Sequence, residues 1–281
     1  MSVQADTVPK AEVPVRRRRS GSGGFGQQKA VLGIVGIILF LAVWELLPRV
    51  GVVDGRYLPP ASEVISALFT EFGTAGFWKA VGDTMLAWAI GLAAATIGAT
   101  IIGFIIASSK FLRRFTNSTI EFLRPIPSVA LIPLAVLMFG VKIESSLMLI
   151  IYASFWQVLI QVLYGVADVD SVADSTARTF GLGVLARIRY VVWPTTLPYL
   201  MTGIRLAAAV ALILAITAEL IIGSPGLGKE IALAQSGGAI APMYALVLAT
   251  GFIGVLVNML ARFVEKKTLS WHSSIRSEVI A

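Results

Sequence analysis

The sequence predicts an all-α, polytopic membrane protein with six transmembrane helices, and three observations carry that prediction. Of 281 residues, 57% are hydrophobic and only 14% are charged, a mix too apolar for a soluble chain of this length. Six stretches, near 30–48, 80–108, 119–140, 143–166, 200–222 and 242–263, reach the roughly 20 apolar residues that a membrane helix needs. The basic residues, finally, alternate between connections. Lys10, Arg16 to Arg19 and Lys29 precede the first span; Lys110, Arg113 and Arg114 follow the second, with Arg124 close by; Arg178, Arg187 and Arg189 follow the fourth; Arg262, Lys266, Lys267 and Arg276 end the chain. The remaining connections hold only Arg49, Arg56, Lys79, Lys142 and Lys229. The positive-inside rule then gives an N-in, C-in topology. It also accounts for the formal net charge of +7 without a nucleic-acid partner.

Residues 1–28 are polar, rich in Gly, Ser and Pro, and carry the unbroken run Arg16 to Arg19, which predicts a disordered basic cytoplasmic tail. Gly21, Gly23 and Gly26 satisfy G-x-G-x-x-G by chance, because no strand precedes them. The apolar segment after Lys29 runs into Trp44, Glu45 and Pro48 without a small-residue cleavage site, so it reads as an uncleaved span opening a membrane domain over 29–268. Between the first two spans, Val64, Ile65, Leu68, Phe69 and Phe72 recur at helical spacing behind Ser62, predicting a short surface helix with Ser62 as its cap.

In the second span Ala95, Ala99, Gly103 and Ala107 form a small-residue ridge four apart, suited to close approach by another helix; an Ala-rich face toward lipid is the alternative. The third span contains Pro125, Pro127 and Pro133. Each removes a backbone donor, and backbone freed in that way must lie against protein or a water-filled cavity, which puts this span near a pathway. Glu219 and Glu45 lie within or at the ends of spans, where a charge costs roughly 2.5 kcal/mol or more unless paired or hydrated. Either lines a cavity or makes a structural polar contact near the outer interface.

The longest polar interruption, 167–199, separates the fourth and fifth spans. Val169, Val172, Ala173, Thr176, Ala177 and Phe180 give it a short amphipathic helix, which Gly181 and Gly183 break. A second short run through Leu185, Ile188 and Val192 is expected to stop at Pro194, with Pro198 ahead of the next span. Composition alone fits an interfacial linker as well as a docking element. Gly223, Gly228 and Lys229 match the start of a phosphate-binding loop, but Glu230 stands where Ser or Thr must hold magnesium and no strand precedes, so an outer turn is expected. Residues 269–281 read as a cytoplasmic tail.

The chain has no cysteine and one histidine, His272, so neither a metal site nor another cofactor is expected. No Ser-His-Asp set and no pair of catalytic carboxylates emerges either, which excludes enzyme classes that rely on them.

Ser175-Thr176-Ala177, Gly181 after three residues and Val191-Val192-Trp193-Pro194 after nine more resemble the loop signature of ATP-binding-cassette importer permeases. Ser175 stands at that family's Glu, Thr176 at its first Ala and Trp193 at its Leu; Asp174 supplies a carboxylate one position earlier. The run Pro125-x-Pro127-x-x-Ala130-x-x-Pro133-Leu134 ending in Phe139-Gly140, the stretch Pro194 to Arg205, Ala218-Glu219 followed by Gly226-Leu227-Gly228, and Glu265 to Trp271 are similar to the nitrate, sulfonate and taurine branch.

The resemblance implies a type I importer-permease fold in the bacterial plasma membrane. It implies a second permease copy as homodimer partner, two cytoplasmic ATP-binding subunits and an extracytoplasmic solute-binding protein. The chain itself would then be no enzyme, with ATP hydrolysed by the separate subunit. Asp174, Ser175, Thr176, Ala177, Gly181 and Pro194 would form the ATPase-docking loop, and Pro125, Pro127, Pro133 and Glu219 are candidates for the pathway of a small anion such as a sulfonate, nitrate or carboxylate. A self-sufficient secondary carrier or channel is the alternative; it would call for several ionisable residues at midspan.

Overall fold

The computed structural model describes residues 24–270. The expected basic tail lies almost wholly outside the described residues, as do His272 and Trp271. Every regular element among the described residues is helical. Helix α1 (Gly24–Arg49) leads to α2 (Ala61–Phe72), α3 (Ala75–Ala107) and α4 (Lys110–Leu123); a single 3₁₀ turn at Ser128–Leu131 precedes α5 (Ile132–Phe139) and α6 (Ile143–Ala167). After α7 (Ser171–Thr179) and α8 (Val184–Arg187), a π-helical segment, Ile188–Val192, enters α9 (Trp193–Ile222), followed by α10 (Leu227–Ser236) and α11 (Ile240–Thr268).

Five helical runs are long and apolar enough to cross a membrane, beginning at Val31, Ala75, Ile143, Val184 and Ile240; α4 with the Ser128–Phe139 segment makes a sixth if the bent pair is one span. Helices α3, α6 and α9 form the centre. Along α3 the buried residues Ala80, Thr84, Ala87, Gly91, Ala95 and Ala99 recur every three or four positions, so one seam faces inward for the length of the helix. The ridge read from sequence is part of this seam. A Cβ added at Gly91 would meet Ile150, and one at Gly103 would meet Val162 at 2.7 Å, so the small residues admit α6 rather than face lipid. One half of the core gathers Leu149, Ile150, Ala211 and Ala215, and the other Val158, Val162, Leu197 and Leu200.

Three expectations need correction. Ser62 does not cap α2, which starts one residue earlier: Ser62 N–H and Oγ–H both donate to the Glu45 carboxylate, each at 2.9 Å. A carboxylate from α1 thus takes the capping place, being the stronger acceptor at a helix N-terminus. The helix expected to stop at Pro194 instead continues into α9: the π-helical segment Ile188–Val192 widens the ladder immediately before Pro194, so the missing N–H is accommodated without a break. The turn after Gly223 ends by Gly226, and Leu227 onward is helix α10 rather than loop.

The third span is also not one straight helix. Helix α4 begins at Lys110, and its axis meets the Ser128–Phe139 segment at 82°. Pro125 and Pro127 lie in the bend, while Pro133 sits in the first turn of α5 and breaks nothing.

Candidate functional site

Helix α7 is short, and its ends are fixed by its own sequence. Asp170 is the N-cap, its side chain accepting the Val172 N–H at 2.9 Å. At the other end Gly181 takes a left-handed conformation, φ +75°. That lets Leu182 N–H reach Ala177 C=O at 3.0 Å and Gly181 N–H reach Arg178 C=O at 2.9 Å, a Schellman closure.

Asp174 ties α7 to α8. One oxygen, Oδ1, accepts both Nε and Nη2 of Arg187, at 2.8 and 2.6 Å, and the other accepts Nε of Arg178 at 3.1 Å. Hydrogen bonding from Arg187, and secondarily from Arg178, holds the Asp174 carboxyl below the usual aspartate range.

Residue by residue, the predicted docking set divides. Ser175 and Thr176 are exposed, Ala177 is only 8% exposed and faces the interior, Gly181 makes the turn, and Pro194 lies exposed in the first turn of α9. The Asp174 carboxylate is engaged inside the loop, so it does not stand in for an outward-facing acid. Val172, Thr176 and Phe180, four apart, share the outward face, where Val172 is 68% and Phe180 78% exposed. With Ser175 and Thr179 they border a shallow recess of about 370 Å³. Beyond the turn Val184 and Leu185 are exposed too. Two large apolar side chains, Val172 and Phe180, thus stand exposed among hydroxyl residues on a helix capped at both ends and braced, an unpartnered surface.

The loop joins the two helices that pack most extensively. Tyr199 O–H on α9 donates to Asp168 Oδ2 just past α6, at 2.9 Å. A Cβ on Gly165 would come within 2.9 Å of Thr196 Cα, so α6 and α9 touch backbone to backbone beside the loop. The two helices that flank the loop are thus held stiffly to each other.

Of the pathway candidates, Glu219 is 1% exposed. Its Oε2 accepts Thr84 Oγ1–H at 2.8 Å and Gly228 N–H at 3.0 Å, while Thr84 Oγ1 accepts the Leu227 N–H at 2.9 Å. Gly226, at φ +149°, lies against the Glu219 carboxylate, where a Cβ would collide. The carboxylate thus joins α3, α9 and the start of α10. Pro125 and Pro127 flank the bend, where Tyr152 O–H donates to Leu123 C=O at 2.7 Å.

A groove of about 600 Å³ runs between α4 and the end of α6, bordered by Arg113, Asn117, Glu121, Arg124 and Tyr164. Sequence reading took its arginines only as orientation signals. The spacing of four, four and three from Arg113 to Arg124 is the signal that finds the stripe, once α4 is seen to begin at Lys110.

Residues 99–270 match the family model described as binding-protein-dependent transport system inner membrane component. The taurine transport system permease protein of Escherichia coli (strain K12) is 27% identical over 254 residues, covering 89% of this chain and 92% of that protein. A putative aliphatic sulfonates transport permease of Bacillus subtilis (strain 168) is 26% identical, covering 96% and 97%. The nitrate import permease of Synechocystis sp. (strain ATCC 27184 / PCC 6803 / Kazusa) is 24% identical, covering 89% and 93%. Among solved structures, an inward-facing methionine ABC transporter aligns at TM-score 0.60 with 14% identity, over 68% of this chain and 95% of that one. A bacterial ABC transporter that imports alginate aligns at 0.59 with 13% identity, over 87% and 99%. These two likenesses concern the fold.

Proposed function

We propose, because the chain belongs to the family of binding-protein-dependent transport system inner membrane components, that it couples to a separate cytoplasmic ATPase through the 171–190 loop and forms the solute pathway of an ATP-driven importer. One observation carries the coupling claim: the outward Val172–Thr176–Phe180 face is unpartnered on a helix whose ends and tilt are fixed by Asp170, Gly181 and the Asp174–Arg187 brace. A surface built this stiffly, with Val172 and Phe180 left uncovered, suits a groove on a second protein.

In this reading two copies of the chain pair, two ATPase subunits dock inside and a solute-binding protein delivers substrate outside. Basic residues flanking α4, α7 and the end of α11 support the inward placement of the loop. Closure of the ATPase pair on ATP pushes α7; α6 and α9 move with it, and the cavity turns outward; hydrolysis reverses the change. The ATPase supplies the energy, and the permease converts it into a shift between two populations. The pathway is assigned to the bend at Pro125 and Pro127, with Pro133 opening α5 beside it, and Glu219 serves as the polar tie that keeps α3, α9 and α10 together around it.

A small anion is the favoured solute, since the relatives named above carry taurine, aliphatic sulfonates and nitrate in their descriptions. Reconstitution tests the assignment. Vesicles holding the chain, its ATPase and its binding protein should take up one of taurine, an alkanesulfonate or nitrate only with ATP. Uptake by the chain alone, independent of ATP, would instead establish a self-sufficient carrier or channel.

A further inference from the structure

We propose that Arg113, Asn117, Glu121 and Arg124 form an anion-attracting track along α4 that lines the solute pathway, with Arg124 as its deepest charge; this rests on the importer reading above. All four border the groove against α6. Their spacing keeps them within one face of the helix.

The opposite face of α4 is of another kind. Phe111, Phe115 and Phe122 lie there, all largely exposed, with the Phe111 and Phe115 rings stacked at 6.0 Å between centroids. That side suits lipid or an apolar neighbour. The arginine-bearing side suits neither and calls for water.

Depth sharpens the point. Leu123 C=O accepts the hydroxyl of Tyr152, the tenth residue of the 25-residue helix α6. At 1.5 Å per residue that hydroxyl belongs to a position about 14 Å from the start of α6 and about 22 Å from its end, so the bend lies well inside the length of that span, with the groove running from it to the last turns of α6. Arg124 is the next residue. Arg113, in the first turn of α4, can reach the inner surface; a charge at the depth of Arg124 requires an ion partner or a hydrated cavity. Among the described residues neither arginine is in a salt bridge. Glu121, the one acid of the stripe, accepts from Asn117 Nδ2 at 2.8 Å, which leaves two guanidinium forks open to the groove.

The backbone agrees independently. Between Leu123 and Ser128 the helix is interrupted, and Pro125 and Pro127 supply no N–H. Irregular backbone at this depth is tolerated where it lines a water-filled cavity or is buried in protein, and the chain's own helices leave this stretch mostly exposed. A guanidinium at such a place presents paired donors to the oxygens of a sulfonate, nitrate or carboxylate. Two forks a few turns apart give shallow, successive sites, which favour passage over retention.

Because the chain contains no cysteine, single thiols can be placed without background. Asn117→Cys, with Phe115→Cys as the control on the opposite face, is treated in membrane vesicles with the anionic sulfonatoethyl and the cationic trimethylammonioethyl methanethiosulfonates. Asn117→Cys should react much faster than Phe115→Cys. Its anionic-to-cationic rate ratio, relative to free cysteine, should fall about threefold or more when Arg124→Gln is added, as removal of a nearby charge in a hydrated cleft requires. If that double variant does not reach the membrane, Arg113→Gln gives the same reading. Asn117→Cys reacting no faster than the control, or a ratio unchanged by loss of the arginine, overturns the track. Labelling needs only the inserted chain, so ATP-dependent uptake with no labelling overturns the track alone, and labelling with ATP-independent uptake overturns the importer reading.

Discussion

Arg187 on α8 donates twice to a single oxygen of Asp174 on α7, Nη2 at 2.6 Å and Nε at 2.8 Å, and so fixes the angle between the helix proposed to meet the ATPase and the segment that runs on into α9. Asp174→Asn removes the charge while keeping the shape. The variant should insert normally yet show faster amide exchange across 171–182 and weaker retention of the ATPase on purification.

The brace also has a pH signature. Its carboxyl is held below the ordinary aspartate value, chiefly by the Arg187 hydrogen bonds. A depressed acid stabilises the folded form above the unfolded pKa, about 3.9, and that contribution is lost as pH falls through the lower folded value. Exchange across α7, corrected for intrinsic rates, should therefore stay flat from pH 8 to pH 5 and rise only in stronger acid. A rise beginning near neutrality would contradict the brace.

Gly181 closes α7 at φ +75°, where an L side chain costs about 1–2 kcal/mol. Nothing lies within 4 Å of an added Cβ, so Gly181→Ala should show that backbone cost alone. Local opening of the last turn of α7 should increase roughly fivefold or more, with Gly181→Asn intermediate, as read by the same exchange measurement.

Thr84 links Glu219 to the start of α10 through one hydroxyl that both donates and accepts. Thr84→Val deprives Glu219 of a donor and leaves the buried Leu227 N–H without its acceptor, a loss of about 1–3 kcal/mol. Thermal unfolding of the detergent-solubilised chain should register it, and Thr84→Ser should recover most of it.

Two glycines give opposite expectations for the same substitution. A Cβ at Gly228 would run into the Ile216 carbonyl and the Leu220 amide nitrogen, whereas one at Gly98 meets nothing within 4 Å. Gly228→Ala should destabilise by about 1–3 kcal/mol through overpacking. Gly98→Ala, inside α3, should be neutral or stabilise by about 0.5–1 kcal/mol.

Where hydropathy or local turn chemistry decides, the sequence was legible. The long spans, the amphipathic α7 and its end at Gly181 all follow from residue spacing. Helix α4 is legible only from 119 because Lys110, Arg113, Arg114 and Asn117 dilute the apolar content of its first half below that of a span, although its face-to-face segregation is strong. Continuity through Pro194 is not legible because a proline reads as a helix stop, and no local pattern announces the π-helical segment Ile188–Val192 that accommodates it. The Glu219 partners lie 135 residues away at Thr84 and across the turn at Gly228, and no local pattern announces a contact of that range. For the proposed docking loop, residue spacing marks the helix but not which side faces out: Ala177 packs inward, while Phe180, on the same predicted apolar face, is exposed.

The docking claim is tested most directly at Thr176, which is exposed at the middle of the outward face and contributes to α7 through its backbone, which a substitution leaves in place. The measurement is co-purification of the ATPase with Thr176→Arg against the unmodified chain, at matched amounts of permease in the membrane. A charged, bulky side chain there should leave insertion unchanged and abolish recovery of the ATPase along with ATP-dependent uptake. Recovery of the ATPase at the unmodified level would contradict the account, because the surface assigned to coupling would then not be in contact with it.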